Sequence, residues 1–191
     1  MSSVVISGDT SGTVSIAAPA VAGSNTLTLQ AGTGTNSMNT LATSVASTSG
    51  TSIDFTGIPS WAKRVTIMLN GVSGSGTSIP IIQIGSGSVE TSGYIAAAAR
   101  SGGAGTGQTI GFPLDNSSAA VDTRSGVYFL VLQTGSTWLV TGTGGLTSNS
   151  TLMTLVFGAK TITGTLDRVR LTTVNGTDTF DAGTVNILYE G

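Results

Sequence analysis

The sequence predicts an all-β protein, a jelly-roll-like β-sandwich preceded by a short strand-rich oligomerisation segment. Three observations carry that reading. Short runs that alternate Val, Ile, Thr and aromatic residues with polar ones recur along the chain, and clusters of Gly, Ser and Asn separate them. No window places apolar residues at i, i+3, i+4 and i+7 between helix caps.

The first region, residues 1–44, offers three candidate strands: VVIS at 4–7, GTVSIAA at 12–18 and TLTLQ at 26–30. The stretch 31–40, AGTGTNSMNT, lacks periodicity and reads as a connector, so a domain boundary is expected near residue 45. The second region, 45–191, is denser. SIDF (52–55) leads to RVTIMLNGV (64–72), where Val65, Ile67 and Leu69 share one face. SIPIIQIG (78–85), GYIAAAA (93–99) and TIGFPL (109–114) follow. GVYFLVLQTG (126–135) is apolar on both faces, the pattern of a strand covered on both sides, and STWLVTG (136–142) is expected to pair with it. LMTLVFGA (152–159), LDRVRLTTV (166–174) and TFDAGTVNILYEG (179–191) complete the set, with Asn175-Gly176 read as a hairpin turn between the last two. About eight to ten strands at this spacing suggest a sandwich.

Composition narrows the function. Hydrophobic residues make up 39% and charged residues only 8% of the 191, against roughly 25% charged in ordinary soluble domains, so Ser, Thr, Asn and Gly supply the wettable surface. Net charge is −2, and the basic residues gather only at Lys63-Arg64 and at Arg168 with Arg170. Such a chain cannot neutralise a run of phosphates, which argues against nucleic acid. The N-terminus lacks the basic and apolar regions of a secretory signal, and no run approaches the ~20 apolar residues of a membrane span. The chain is therefore expected to be made in the cytosol and not to insert into a membrane. It holds no Cys and no His, which removes disulfides, thiolate metal sites and the commonest general base; no cofactor is expected.

The first region is too short to close a core without staples. Its strand-period alternation makes pairing with the same strands of other copies the preferred reading, with a flexible linker as the alternative that its composition permits.

The opening GDTSGTVSIAAPAVAGSNTLTLQAGTGT resembles a short repeat found in tail-fibre and related structural proteins of tailed bacteriophages. SIDFTGIPSWAKRVTIMLNGVSGSGTS and the closing LDRVRLTTVNGTDTFDAGTVNILYE resemble the C-terminal modules of such proteins. The likeness covers about half of the chain. It implies a virion protein and a homotrimer, attached to other virion proteins through its N-terminal segment. Many tail fibres are several times longer, so one module at each end favours a short fibre, a fibre tip or a small spike.

Chemistry-bearing candidates are few. Asp178 with Asp181, and Asp115 with Asp122, are the carboxylate pairs close enough in sequence for glycoside hydrolysis, yet both lie among Gly, Ser and Thr, where Asp commonly caps a turn. TDTFDAG lacks the spacing of a calcium loop. GSGTS, SGGAGTGQ and TGTGG match no phosphate-binding pattern and read as loops. Trp61, Tyr94 and Trp138 are the candidate glycan contacts, since an aromatic face beside polar loops suits a sugar; a plug for the end of the sandwich is the preferred reading of each. Arg168 and Arg170 share one strand face; a solvated face is the preferred reading, and they are the candidate charge contacts between subunits.

The expected function is a non-enzymatic virion structural protein on the exterior of a phage tail or capsid, a short trimeric fibre or fibre tip that adheres to a host-surface glycan. The alternative is a capsid decoration or head-fibre protein without a receptor role. A polysaccharide-cleaving enzyme is the least favoured reading.

Overall fold

The computed structural model describes residues 3–7, 13–17 and 39–191. The chain divides into two compact units, Met1–Asn36 and Ser37–Gly191. In the first, β1 (Ser3–Ser7) and β2 (Thr13–Ala17) pair antiparallel, with Ser3 opposite Ala17 and Ser7 opposite Thr13. The third strand expected at 26–30 lies outside the described residues. The boundary falls at Asn36/Ser37, earlier than the expected residue 45, because β3 (Asn39–Leu41) and β4 (Val45–Ala46) already pair with the last strand of the second unit.

That unit continues through β5 (Ile53–Thr56), β6 (Arg64–Gly74), β7 (Pro80–Ser86), β8 (Ser88–Val89), β9 (Ile95–Arg100), β10 (Thr106–Gln108), β11 (Phe112–Pro113), β12 (Arg124–Thr134), β13 (Thr137–Leu146), β14 (Asn149–Thr161), β15 (Arg168–Thr173) and β16 (Phe180–Glu190). They form two antiparallel sheets. The larger runs β10-β9-β14-β13-β12-β6-β16-β3, with β4 also on β16; the smaller runs β11-β7-β15-β5, with β8 on β7. The all-β class is as expected, and the core lies between the sheets. Val65, Ile67 and Leu69 of β6, Tyr128 and Leu130 of β12 and Val185 and Ile187 of β16 face Ile53 and Phe55 of β5, Ile82 and Ile84 of β7, and Val169 and Leu171 of β15. The period of two in these strands sends alternate side chains inward.

Two local readings need correction. TGTGG is not a loop but the second half of β13. Gly142 and Gly144 face inward there, and the Tyr128 ring occupies the space their side chains would need. Asn175-Gly176 is a turn but not a hairpin, because β15 belongs to the smaller sheet and β16 to the larger. The Asn175 side chain accepts from the N–H groups of Thr177 and Asp178, and Gly176 takes φ 68°; this Asx-type closure turns the chain from one sheet to the other. The expected β12/β13 hairpin does form, around Gly135 at φ 55°.

Candidate functional site

The outer faces of the two sheets differ in chemistry. On the smaller one, Asp54, Arg170 and Gln83 stand in one row across β5, β15 and β7. Arg170 donates to both carboxylate oxygens of Asp54, at 2.6 and 3.0 Å. Arg168 donates to Asp167 at 2.7 Å, and that guanidinium beside it holds the Asp167 carboxyl below its usual range. Both arginines expected to meet another subunit are thus matched by carboxylates of their own chain. This face is polar and suited to water.

The larger sheet presents the opposite. Outward from β12 come Val127, Phe129 and Val131; from β13, Leu139, Thr141 and Thr143; from β14, Met153, Leu155 and Phe157; from β9, Ile95, Ala97 and Ala99. The register sets them in three rows. Val127, Thr143, Leu155 and Ala99 form one; Phe129, Thr141, Phe157 and Ala97 the next; Val131, Leu139, Ala159 and Ile95 the third. The middle row extends through Thr66 and Leu188 to Leu41 at the sheet's other end. Phe157 is 63% exposed and Ile95 80%. None of these positions carries a charge. The border does: Arg64 and Glu190, paired at 2.5 Å, stand beside Val131 at one corner.

The face is also contoured. A hollow of about 450 Å³ lies over Thr143 between Val127 and Met153–Leu155. A second, of about 600 Å³, is bordered by Val131, Leu139, Phe157 and Ile95. The doubly apolar pattern of 126–135 signalled a strand with cover on both sides; inside the chain it is covered on one, and Val127, Phe129 and Val131 stand in the open.

The aromatic residues singled out as sugar contacts lie elsewhere, and two must be corrected. Trp138 is 2% exposed on the inward side of β13. Tyr94 is 1% exposed, its ring edge-on to Phe112 at 4.9 Å with the Lys160 ammonium 5.3 Å from its centroid. The Tyr94 hydroxyl accepts from the Ile84 N–H and donates to the Glu90 carbonyl. Neither ring has a free face for a ligand, because each fills the inter-sheet layer. Trp61 is half-buried and tilts against Tyr189 at 5.7 Å, plugging a loop-to-strand corner.

The carboxylate pairs are tied down. Asp115, fully buried, accepts from Arg100 Nε at 2.8 Å and from the Asn116 N–H; Asp122 accepts from Arg124 Nη2 at 3.0 Å and from the Ala119 N–H. The two arginines link both acids into one network that fastens the segment between β11 and β12. Asp178 accepts from the Asn175 amide and the Ser78 N–H, which hold its carboxyl low, and Asp181 accepts from the Ser73 hydroxyl. Asp122 closes a local turn through the Ala119 N–H, Asp115 anchors the arginine network, Asp178 bridges two loops, and Asp181 makes its bond from within β16. Among the described residues no three Asp, Glu, His or Cys side chains converge as metal ligands.

Comparison with protein-family models, with curated proteins and with solved structures finds no match for this chain.

Proposed function

We propose that the chain is a non-enzymatic structural subunit on the exterior of a bacteriophage particle, a short trimeric tail fibre or fibre tip that meets the host surface. The observation that carries this is the asymmetry of the sandwich: one outer face is ion-paired and wettable, the other apolar, with its charges confined to the Arg64–Glu190 corner beside Phe129 and Val131. Apolar area left in water forgoes roughly 25 cal/mol per Å², so a face of this kind is built for contact. The opening segment supports assembly as well, since a two-stranded pair such as its described β1 and β2 is marginal by itself and is the kind of element that gains stability from other chains. Its fibre-type repeat supplies the phage assignment and the number three. We read the sandwich as jelly-roll-like because the chain keeps crossing between sheets, from β5 to β6 to β7 and from β14 to β15 to β16.

A second reading, a capsid decoration or head-fibre protein, draws support from the burial of Tyr94 and Trp138, which removes two aromatic platforms for a sugar. Light scattering on the full-length protein tests the first point. The expected mass is three times 18.9 kDa; a monomer overturns the fibre reading. Labelled trimer applied to bacterial cells tests the second. Saturable binding competed by surface polysaccharide supports a fibre tip, and binding to particle heads without cell binding supports decoration.

A further inference from the structure

We infer that the uncharged outer face of β9, β14, β13 and β12 is the interface between copies of this chain, each copy's face packing on that of its neighbour around the assembly axis. The inference rests on the proposed assembly and assigns it a surface within the sandwich, where the sequence pointed only to the opening segment.

Three features select a second copy as the occupant. Charge comes first: the rows from Val127 to Ala99, Phe129 to Ala97 and Val131 to Ile95 hold no ionisable group. A partner must therefore be apolar and uncharged where it touches them, and this face itself meets that requirement. The ion-paired outer face of the smaller sheet does not.

Relief is the second feature. Met153, Leu155 and Phe157 stand as a ridge along β14, each more than half exposed, while the hollow over Thr143 lies alongside on β13. One surface thus carries both a ridge and a recess. Two copies can seat ridge in recess reciprocally across a two-fold axis, or in sequence around a three-fold. The small side chains of Thr141, Thr143, Ala97 and Ala99 leave room for this approach.

Extent is the third. With whole-residue surfaces of about 150 to 200 Å² for Val to Phe, the exposed fractions of the eight large apolar residues leave on the order of 700 Å² in the open, above the roughly 300 to 600 Å² of a typical monomer's largest patch and near the ~800 Å² per partner of a stable interface. The Arg64–Glu190 pair at the corner then forms part of a polar rim.

The test compares full-length variants by light scattering and sedimentation across a dilution series, with circular dichroism to check the fold. Phe157→Asp and, separately, Leu155→Asp place a charge on the ridge at exposed positions that the fold tolerates. Each is expected to raise the dissociation constant of the assembly by about 100-fold or more. Thr56→Asp, exposed on the smaller sheet, is expected to leave it unchanged, whereas a full-length chain with Val5→Pro and Ile16→Pro, which breaks the β1/β2 pair, is expected to weaken the assembly without abolishing it. Ridge variants that stay folded with wild-type mass at every dilution overturn the inference. If the proline variant alone dissociates, assembly through the opening segment survives and this interface does not. A wild-type protein that is monomeric overturns both.

Discussion

Tyr128 and Gly142 stand directly opposite each other across β12 and β13, and the ring of the first fills the space that a side chain on the second would need. A Cβ on Gly142 would lie 2.6 Å from the ring's Cδ1 and 2.7 Å from the Tyr128 Cα. One of those neighbours is backbone and cannot swing aside. Gly142→Ala is therefore expected to destabilise the fold by roughly 1 to 3 kcal/mol, the usual cost of overpacking a filled core. Denaturant unfolding checks it, and a loss below about half a kcal/mol would mean that the ring moves.

The same ring predicts an alkaline limb. Burial pushes the Tyr128 phenol from its ordinary 10.0 to about 12. A group whose folded pKa is raised contributes stability below the unfolded value and loses it as pH climbs through the folded one. Stability should therefore hold up to pH 10 and fall between 10 and 12, by up to about 2 to 3 kcal/mol from this group. Burial raises the Tyr94 phenol as well, so Tyr128→Phe should flatten the limb without abolishing it. Tyrosinate absorbance against pH gives an independent reading: Tyr128 should ionise well after an exposed phenol.

Glu90 predicts the acid limb. Burial pushes its carboxyl up, but the Lys160 ammonium at 2.6 Å and the N–H and hydroxyl of Thr163 outweigh this and hold it below its ordinary 4.5. A lowered folded pKa means stability that is present above the unfolded value and is lost as pH falls through the folded one. Glu90→Gln should make unfolding less pH-dependent in that acid window. At neutral pH it leaves the buried Lys160 ammonium without its carboxylate, at a cost of roughly 1 to 3 kcal/mol. Equal slopes for variant and wild type below pH 5 would refute the assignment.

Asp115 is the anchor of the other charged network. It is fully buried and takes Arg100 Nε and the Asn116 N–H, with Arg124 Nη2 at 3.5 Å. Asp115→Asn keeps the shape and removes the charge, leaving the buried Arg124 with Asp122 as its remaining carboxylate. Breaking a buried pair from one side costs about 3 to 5 kcal/mol, and Asp122 should hold the loss near the lower figure. Asp122→Asn, in a less buried position, should cost less; the reverse order would place the anchor at Asp122.

Alternation along one strand was legible, as Val65, Ile67 and Leu69 illustrate: a strand shows its two faces in its own residues. What a face meets was not. The pattern of 126–135 announced two covered faces, yet only the inner one is covered by the described residues. Long-range pairs were equally hidden. Nothing local links Arg170 to Asp54, which lie 116 positions apart and meet because β15 and β5 share a register. Buried aromatics mislead for a related reason, since Tyr94 beside a polar loop reads like a surface residue until Phe112 and Lys160 close over it. The glycines of TGTGG signalled a loop because the side chain that replaces theirs, Tyr128, belongs to the neighbouring strand.

The position of the domain boundary can be decided by two truncations. A chain starting at Ser37 keeps β3 and β4, whose partners are Leu188–Glu190 and Thr184–Val185 of β16. A chain starting at residue 45 loses β3, the Ala42 N–H bond to the Ile187 carbonyl and the packing of Ala42 against the core. It also leaves that part of β16 as an open sheet edge. The lost backbone bonds are worth about 1 kcal/mol each, and in a unit of this size each kcal/mol moves Tm by roughly 2 to 4 °C. The shorter chain is thus expected to melt several degrees below the longer one, and the longer one close to the full-length protein. Equal melting of the two truncations would return the boundary to residue 45 and make β3 an ornament of the fold. A fall already at Ser37 would show that the opening unit stabilises the sandwich.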